Sequence, residues 1–252
     1  MKLAELSWPV VADLPRSTPI VIPVAAVEQH GRHLPVYTDS MLLGEVVRRT
    51  EERLARQILV APLLWLGNSH HHLDFGATLS ASPRVYLDLL IDLTENFLSQ
   101  GFTRIVFLNG HGGNITPGKQ AIFELRQKYR ERSDLLLLFA TYWNMTTTPP
   151  KMGPEFVQSD VMHACEWETS MILRLTPQLV GPIQDLPDVS AAYGFDPAYR
   201  GWTTRERTES GHIGDPRHAT AEKGELLFQR FTDETVAYLQ QVIAWDGHSW
   251  GV

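Results

Sequence analysis

The sequence predicts an α/β protein built on a parallel sheet covered on both faces. Short apolar runs alternate with segments of helical period, and the runs lack the polar alternation of a half-exposed strand. A length of 252 residues suits one large domain with a substantial core. Ile20–Val27 reads as the first strand, apolar throughout. Ser40–Arg56 reads as a helix, with Leu42, Leu43, Val46, Val47 and Leu54 on one stripe and Asp39 placed to cap it. Gln57–Leu64 is a short strand ending near Pro62. Pro83–Gln100 is a long helix, opened by Ser82 before Pro83 and closed by Gly101. Arg104–Leu108 is a buried strand, Thr116–Arg132 a helix and Leu135–Thr141 another buried strand. A helix over about Ala164–Leu175 ends before Pro177, and an amphipathic helix runs from Thr220 to about Ile243. Residues 181–219, rich in Gly, Pro and turn formers, read as a lid or an oligomer contact. No repeat, low-complexity stretch or linker interrupts the pattern, so residues 1–252 read as a single domain.

Composition narrows the function. Apolar content of 43% with 20% charged residues is that of a soluble globular protein. A formal charge of −7, spread diffusely, argues against a nucleic-acid surface, which needs a concentrated basic face. The one cysteine, Cys165, excludes an intramolecular disulfide and a thiolate zinc cluster, and suits a reducing compartment. No secretory h-region is apparent at the N-terminus, and apolar runs such as 135–140 are too short to span a bilayer. These features predict a cytoplasmic, enzyme-sized protein.

In parallel sheets the site lies beyond the carboxyl ends of the strands. Polar stretches at 28–39, 109–114 and 142–168 each follow a predicted strand and are expected to converge there. Glu28 and His30 are two apart, so they share a side if the strand geometry persists past Val27, and Asp39 starts the next helix. Such oxygen and nitrogen donors suit zinc, manganese or iron(II), although a solvated loop with a capping aspartate has the same letters. In the second stretch, Asn109-Gly110-His111-Gly112-Gly113-Asn114, glycines allow close backbone approach and present an imidazole at the sheet edge. A phosphate loop over Gly110–Asn114 is the alternative, weakened by the lack of Gly-x-Gly-x-x-Gly or Gly-Lys-Ser/Thr. The third stretch holds His163, Glu166 and Glu168 at a helix start, where acidic residues are ordinary dipole partners. Glu166 and Glu168 do not share a helix face, so one can reach a metal while the other does something else. Glu28, His30, Asp39, His111 and Glu166 together suit two cations about 3.5–4 Å apart, with His163 left as a proton shuttle.

Val27-Glu28-Gln29-His30-Gly31-x-His33-Leu34-Pro35-x-x-Thr38-Asp39, the Asn109–Asn114 turn and Glu166-x-Glu168-Thr169-Ser170 resemble the creatininase family of metal-dependent amidohydrolases. The resemblance runs from about residue 18 to 243. It implies a three-layer α/β/α sandwich around a mainly parallel sheet, commonly hexameric, and hydrolysis of a C–N amide bond in a small cyclic amide or formamide. It implies two divalent metal ions per subunit, held by Glu28, His30, Asp39 as the bridge, and His111. In creatininase a glutamate two residues after the glycine-flanked histidine completes the set; Gly113 stands there, and the fifth ligand is assigned to Glu166. His163 matches the family's catalytic histidine, and Glu168, of the Glu-Thr-Ser motif, is expected to orient the water or His163. Trp143 matches an aromatic pocket residue, whereas Ser159 stands where creatininase has a second pocket tryptophan, which argues against creatinine as substrate.

The remaining candidates are assigned more modest roles. In His70-His71-His72, neighbours on an extended chain point apart, so His70 and His72 are the pair that can cooperate; His72 is expected at the substrate. Cys165 reads as a small buried apolar residue rather than a nucleophile. His212 reads as part of a surface turn, and Arg200–Arg207 as a solvated charged loop, with pocket gating and recognition of an anionic substrate group as the sharper alternative. A sugar- or nucleotide-binding module with a non-catalytic metal is the rival from outside the enzymes.

Overall fold

The computed structural model describes residues 1–145, 153–190, 194–195 and 197–250. Residues 191–193 and 196 of the expected lid, and 146–152 of the third polar stretch, lie outside the described residues. The longer elements in chain order are α1 (Trp8–Ala12), β1 (Ile20–Val24), α2 (Thr38–Arg53), β2 (Leu59–Val60), α3 (Pro83–Ser99) and β3 (Arg104–Asn109). They continue with α4 (Ile115–Lys128), β4 (Leu136–Thr141), α5 (Glu166–Leu175), α6 (Thr204–Arg207) and α7 (Ala221–Ala244).

The four strands form a parallel sheet in the order β2-β1-β3-β4. Their residues alternate between two cores even though nearly all are apolar. Val21, Val106 and Leu108 face a core completed by Leu42 and Val46 of α2, Trp167 and Met171 of α5, and Phe228 and Leu239 of α7. Ile20, Ile22, Val24, Ile105 and Phe107 face the opposite core, with Tyr86 and Leu90 of α3 and Leu125 of α4. Burial on both faces is what a continuous apolar run implies, and the result is the α/β/α sandwich expected from the resemblance.

Local chemistry sets most of the element ends. Ser82 caps α3, its hydroxyl accepting from the Val85 N–H, and Pro83 opens the helix. The expected 57–64 strand narrows to Leu59–Val60 because Pro62 interrupts it, and pairing with β1 resumes only at a bridge between Val24 and Leu64. Pro23 sits inside β1 on the same logic. The Val21 and Pro23 carbonyls accept from the β2 side, at Ala61 and Leu64, so the missing Pro23 N–H falls where β2 has ended.

Two boundaries differ in ways that matter for the site. Tyr37 is the N-cap of α2, and Asp39 lies in the first turn without capping it. The fifth helix starts at Glu166, two residues later than expected, because Ala164 takes a left-handed conformation (φ 50°). That conformation costs an alanine roughly 1–2 kcal/mol. It turns the chain so that the Ala164 N–H donates to Glu168 Oε2.

Candidate metal centre

Beyond the carboxyl ends of β1 and β3, the chain runs directly into the first two polar stretches. Glu28 and His30 follow β1, His111 follows β3, and Asp39 rises from the first turn of α2; all four are buried. Asp39 stands between two imidazoles, with Oδ1 3.1 Å from His30 Nε2 and Oδ2 2.9 Å from His111 Nδ1. Glu28 lies on the His111 side, its Oε2 3.3 Å from His111 Nε2. Glu168 lies on the other side, its Oε1 3.9 Å from His30 Nε2. His163 Nδ1 and His72 Nε2 approach the remaining Glu28 oxygen at 3.5 and 3.3 Å.

Backbone groups aim several of these donors. The Glu28 carbonyl accepts from His30 Nδ1–H at 3.1 Å, which leaves Nε2 directed at Asp39. The Gln29 carbonyl lies 2.9 Å from His163 Nε2; with the proton on Nε2, the Nδ1 lone pair points into the cluster. The Gln29 side chain ties the arrangement together, its Nε2 standing 2.7 Å from His72 Nδ1 and 2.8 Å from the Gly211 carbonyl.

Three buried carboxylates this close must be compensated. Burial pushes the Glu28 and Glu168 carboxyls up to about 7. Burial opposes charge on His30 and His111 as well, but Asp39 and the glutamates outweigh it, raising His30 to about 10 and His111 to about 9. Burial also acts against the Asp39 charge, yet the two imidazoles hold that carboxyl well below its ordinary range. Burial, then neighbouring His30, pushes His163 well below the usual imidazole range.

The donor chemistry fits divalent cations. Glu28 Oε2 and Asp39 Oδ2 are sealed from solvent, and neither makes a properly directed hydrogen bond to the nearby imidazole nitrogens. Ligand atoms of Glu28, His30 and Asp39 lie within 4.8 Å of one another, as do those of His30, His163 and Glu168. Two further groupings, Glu28–His72–His163 and Glu28–His71–His111, meet the same limit.

Glu166 is not in this cluster, which corrects the expectation that it supplies the fifth ligand. Its Oε1 accepts from Lys223 Nζ of α7 at 2.6 Å, and its Oε2 from the Val157 and Gln158 amides at 3.0 and 2.8 Å. Two residues on a helix are about 200° apart around the axis, so only one of the pair can face the strand ends. The face turned to the cluster carries Glu168.

Other residues also stand elsewhere than expected. His70–His72 form a 3-10 turn rather than an extended run. Within that turn His71 and His72 reach the cluster, their rings 4.3 Å apart, while His70 bonds Ser80. His212 is fully buried, its Nε2 donating to the Pro187 carbonyl at 2.8 Å and its ring edge-on to His33 at 5.9 Å, so it is no surface turn. Trp143 is buried edge-on against Tyr142, and Ser159 is exposed. Arg200–Arg207 is more ordered than a solvated loop: a Thr203–Glu206 capping box starts α6, and the Arg207 guanidinium lies 4.6 Å over Trp202. His71, Gln29 and Trp202 carried no sequence signal beyond their neighbourhood, since the turn and loop that place them follow no period.

Buried carboxylates and imidazoles gathered at the carboxyl edge of a parallel sheet are the donor types that metal-dependent hydrolases use. The family described as creatinine amidohydrolase (creatininase) matches residues 4–239. A mycofactocin precursor peptide peptidase of Mycobacterium tuberculosis is 30% identical over 250 residues, covering 93% of this chain and 90% of that protein. A creatinine amidohydrolase of Pseudomonas putida is 30% identical over 230 residues, covering 83% and 84%. A solved mutant creatininase complexed with creatine superposes with a TM-score of 0.81 at 25% identity, covering 96% of this chain and 98% of that one. The chain belongs to the creatininase family.

Proposed function

We propose that the protein is a dinuclear metal-dependent amidohydrolase that opens a C–N amide bond in a small molecule, a cyclic amide or a formamide. Glu28, Asp39 and His111 would hold one cation, and His30, Asp39 and Glu168 the other. The observation that carries this reading is Asp39, whose two oxygens face His30 and His111 at 3.1 and 2.9 Å, the disposition a bridging carboxylate needs. When bound, such cations lower the pKa of a coordinated water and polarise the amide carbonyl.

His163 is the proton carrier. With Nε2–H engaged by the Gln29 carbonyl, its free Nδ1 faces the cluster, where it can take a proton and pass it to the departing nitrogen. Burial and the neighbouring His30 depress the basicity of this ring, so it rests neutral with Nδ1 unprotonated. The Ala164 N–H fixes Glu168 Oε2 and leaves Oε1 toward His30.

The phosphate-loop alternative is disfavoured by packing. A Cβ on Gly113 would lie 2.1 Å from the Asn68 carbonyl oxygen and 2.5 Å from His111 Nε2. The glycine therefore lets the 109–114 turn close against residue 68 and the His71 ring, leaving no phosphate cradle. Zinc, manganese or iron(II) fits the mixed nitrogen and oxygen donors. Further proposals are a single domain in which the described 200–214 part of the expected lid walls the site, a homohexamer as the resemblance implies, and a cytoplasmic setting. The last is supported by the buried unpaired Cys165 and by the absence, among the described residues, of a helix long and apolar enough to cross a membrane.

Elemental analysis of purified protein, with a hydrolysis screen of lactams, formamides and creatinine, tests the reading. Glu28→Gln is expected to lose both metal and activity, and retained metal in that variant would count against it. His163→Ala is expected to keep its metal while kcat falls by about 10²–10⁴, the range of a general acid–base group.

A further inference from the structure

The Gln29 side chain reaches two imidazoles of the cluster, and its hydrogen bonds fix where their protons sit. Its orientation is set from both ends. Oε1 accepts from the Gly31 N–H at 2.9 Å, and Nε2 donates to the Gly211 carbonyl at 2.8 Å. A backbone N–H cannot accept and a carbonyl cannot donate, so the amide has one possible orientation. The facing loop is shaped to receive it. Gly211 takes a left-handed conformation (φ 81°), and a Cβ there would lie 2.3 Å from Gln29 Oε1. One of the two amide protons is thus taken by Gly211.

The second proton has two nitrogens within reach, His72 Nδ1 at 2.7 Å and His163 Nε2 at 3.0 Å. His163 Nε2 also lies 2.9 Å from the Gln29 carbonyl, which pairs only with a protonated nitrogen. His163 therefore donates to that carbonyl, and the amide donates to His72 Nδ1. Every polar group of the set is then paired, as buried groups require. An imidazole whose Nδ1 accepts must hold its proton on Nε2. In His72 that nitrogen faces Glu28 Oε1 at 3.3 Å. His163 Nδ1 faces the same oxygen at 3.5 Å, and the two rings lie 4.3 Å apart between centroids. The two imidazoles thus turn opposite groups toward Glu28, an N–H from His72 and a lone pair from His163.

This difference bears on metal. Glu28, His72 and His163 bring donor atoms within 4.8 Å of one another, close enough to share a cation. A protonated nitrogen cannot ligate. We propose that Gln29 is a positioning residue that keeps the proton carrier clear of metal. By donating to His72 Nδ1 it turns the His72 N–H into this grouping, and the His163 Nδ1 lone pair stays unclaimed for the proton of the reaction. His72 acts as a donor at Glu28. The assignment rests on the amidohydrolase reading for the task of His163, whereas the proton positions stand apart from it.

Neutron diffraction from deuterium-exchanged crystals of the zinc-loaded protein reads those positions directly. Deuterons are expected on Nε2 of both His72 and His163, with His72 Nδ1 bare. A deuteron on His72 Nδ1, or a bare His163 Nε2, overturns the proposal whatever any variant does. Gln29→Glu keeps the length of the side chain and the acceptor for the Gly31 N–H but replaces the donating NH2 with a carboxylate oxygen. His72 must then hold its proton on Nδ1, and its Nε2 lone pair joins Glu28 and His163. Elemental analysis after equilibration with excess zinc is expected to find about one more zinc per chain in this variant than in wild type. Adding His72→Phe is expected to remove the extra ion. Equal zinc content in wild type and folded Gln29→Glu, or an extra zinc that survives His72→Phe, overturns the proposal. Neither measurement involves turnover. Failure to hydrolyse any amide, with these proton positions and zinc contents found, counts against the amidohydrolase reading and leaves the work of Gln29 on His72 in place.

Discussion

The floor and the wall of the site are built by different means. The floor comes from the ends of β1 and β3 and the first turn of α2, where Glu28, His30, His111 and Asp39 lie within a few residues of regular elements. Strand register fixes where each chain emerges: Val24 pairs with Asn109, so the segments carrying Glu28 and His111 leave the sheet side by side. The wall comes from a 3-10 turn at His70–His72 and from the loop around Trp202 and Gly211, joined to the rest by contacts such as Gln29 Nε2 to the Gly211 carbonyl and by an isolated backbone bridge between Ile213 and His163. Position on the floor is set by the register of the parallel sheet, whereas position on the wall is set by isolated bridges and by side chains reaching across long sequence separations. Substitutions on the floor should therefore remove the metal, and substitutions on the wall should alter binding while the metal stays.

The start of α5 offers the sharpest way to break this division, because it carries a floor residue and a structural one in the same turn. Glu168→Gln is expected to lower metal content, to about half if one of two cations is lost, and to reduce kcat at least a hundredfold. Glu166→Gln is expected to keep full metal content. Its cost falls on stability, about 2 kcal/mol, because Lys223 loses a charged partner and two amides of the 157–158 segment lose a carboxylate acceptor. Metal analysis and denaturant unfolding of the two variants read the difference, and metal loss in Glu166→Gln would reverse their roles.

This pair also shows how far the sequence could be read. The fold was legible because each strand is an apolar run between amphipathic helices, and the floor was legible because its donors sit two apart after a strand or inside a glycine turn. The choice between Glu166 and Glu168 was not. It depends on where the helix starts, and that depends on a left-handed alanine with no sequence signature. His70–His72 misled for the same reason: extended geometry would pair His70 with His72, but the turn brings His71 and His72 to the cluster. His212 looked like a surface turn because nothing local reveals that His33 and Pro187 enclose it.

The electrostatics of the floor give a prediction of intermediate size. In metal-free protein His30 and His111, held up to about 10 and 9 against an ordinary 6.5, keep protons that the unfolded chain releases. Their contribution is fully present below pH 6.5 and is lost as pH rises through about 9 to 10. Thermal unfolding of chelator-treated protein should accordingly show a melting temperature that falls between pH 7 and 10. Metal-loaded protein should show the opposite sign over its lower range, since cations displace the imidazole protons and bind more tightly as pH rises. A metal-free melting temperature that climbs through this interval would mean the floor is not compensated by imidazolium charge.

The smallest effect is expected at Cys165, which lies between the two regions and belongs to neither. It is fully buried beside Trp167 and Met171 in the core under α5, one residue before Glu166 and three before Glu168. Burial, with Glu168 nearby, pushes its thiol up to about 12, so no thiolate is available for nucleophilic attack or metal binding near neutral pH. Cys165→Ala should cost about 1 kcal/mol through lost packing and leave kcat and metal content unchanged. Steady-state kinetics alongside denaturant unfolding separates the outcomes. A large loss of activity without a matching loss of stability would extend the floor to a residue that geometry assigns to the core, and the boundary drawn by strand register would have to move by one helical turn.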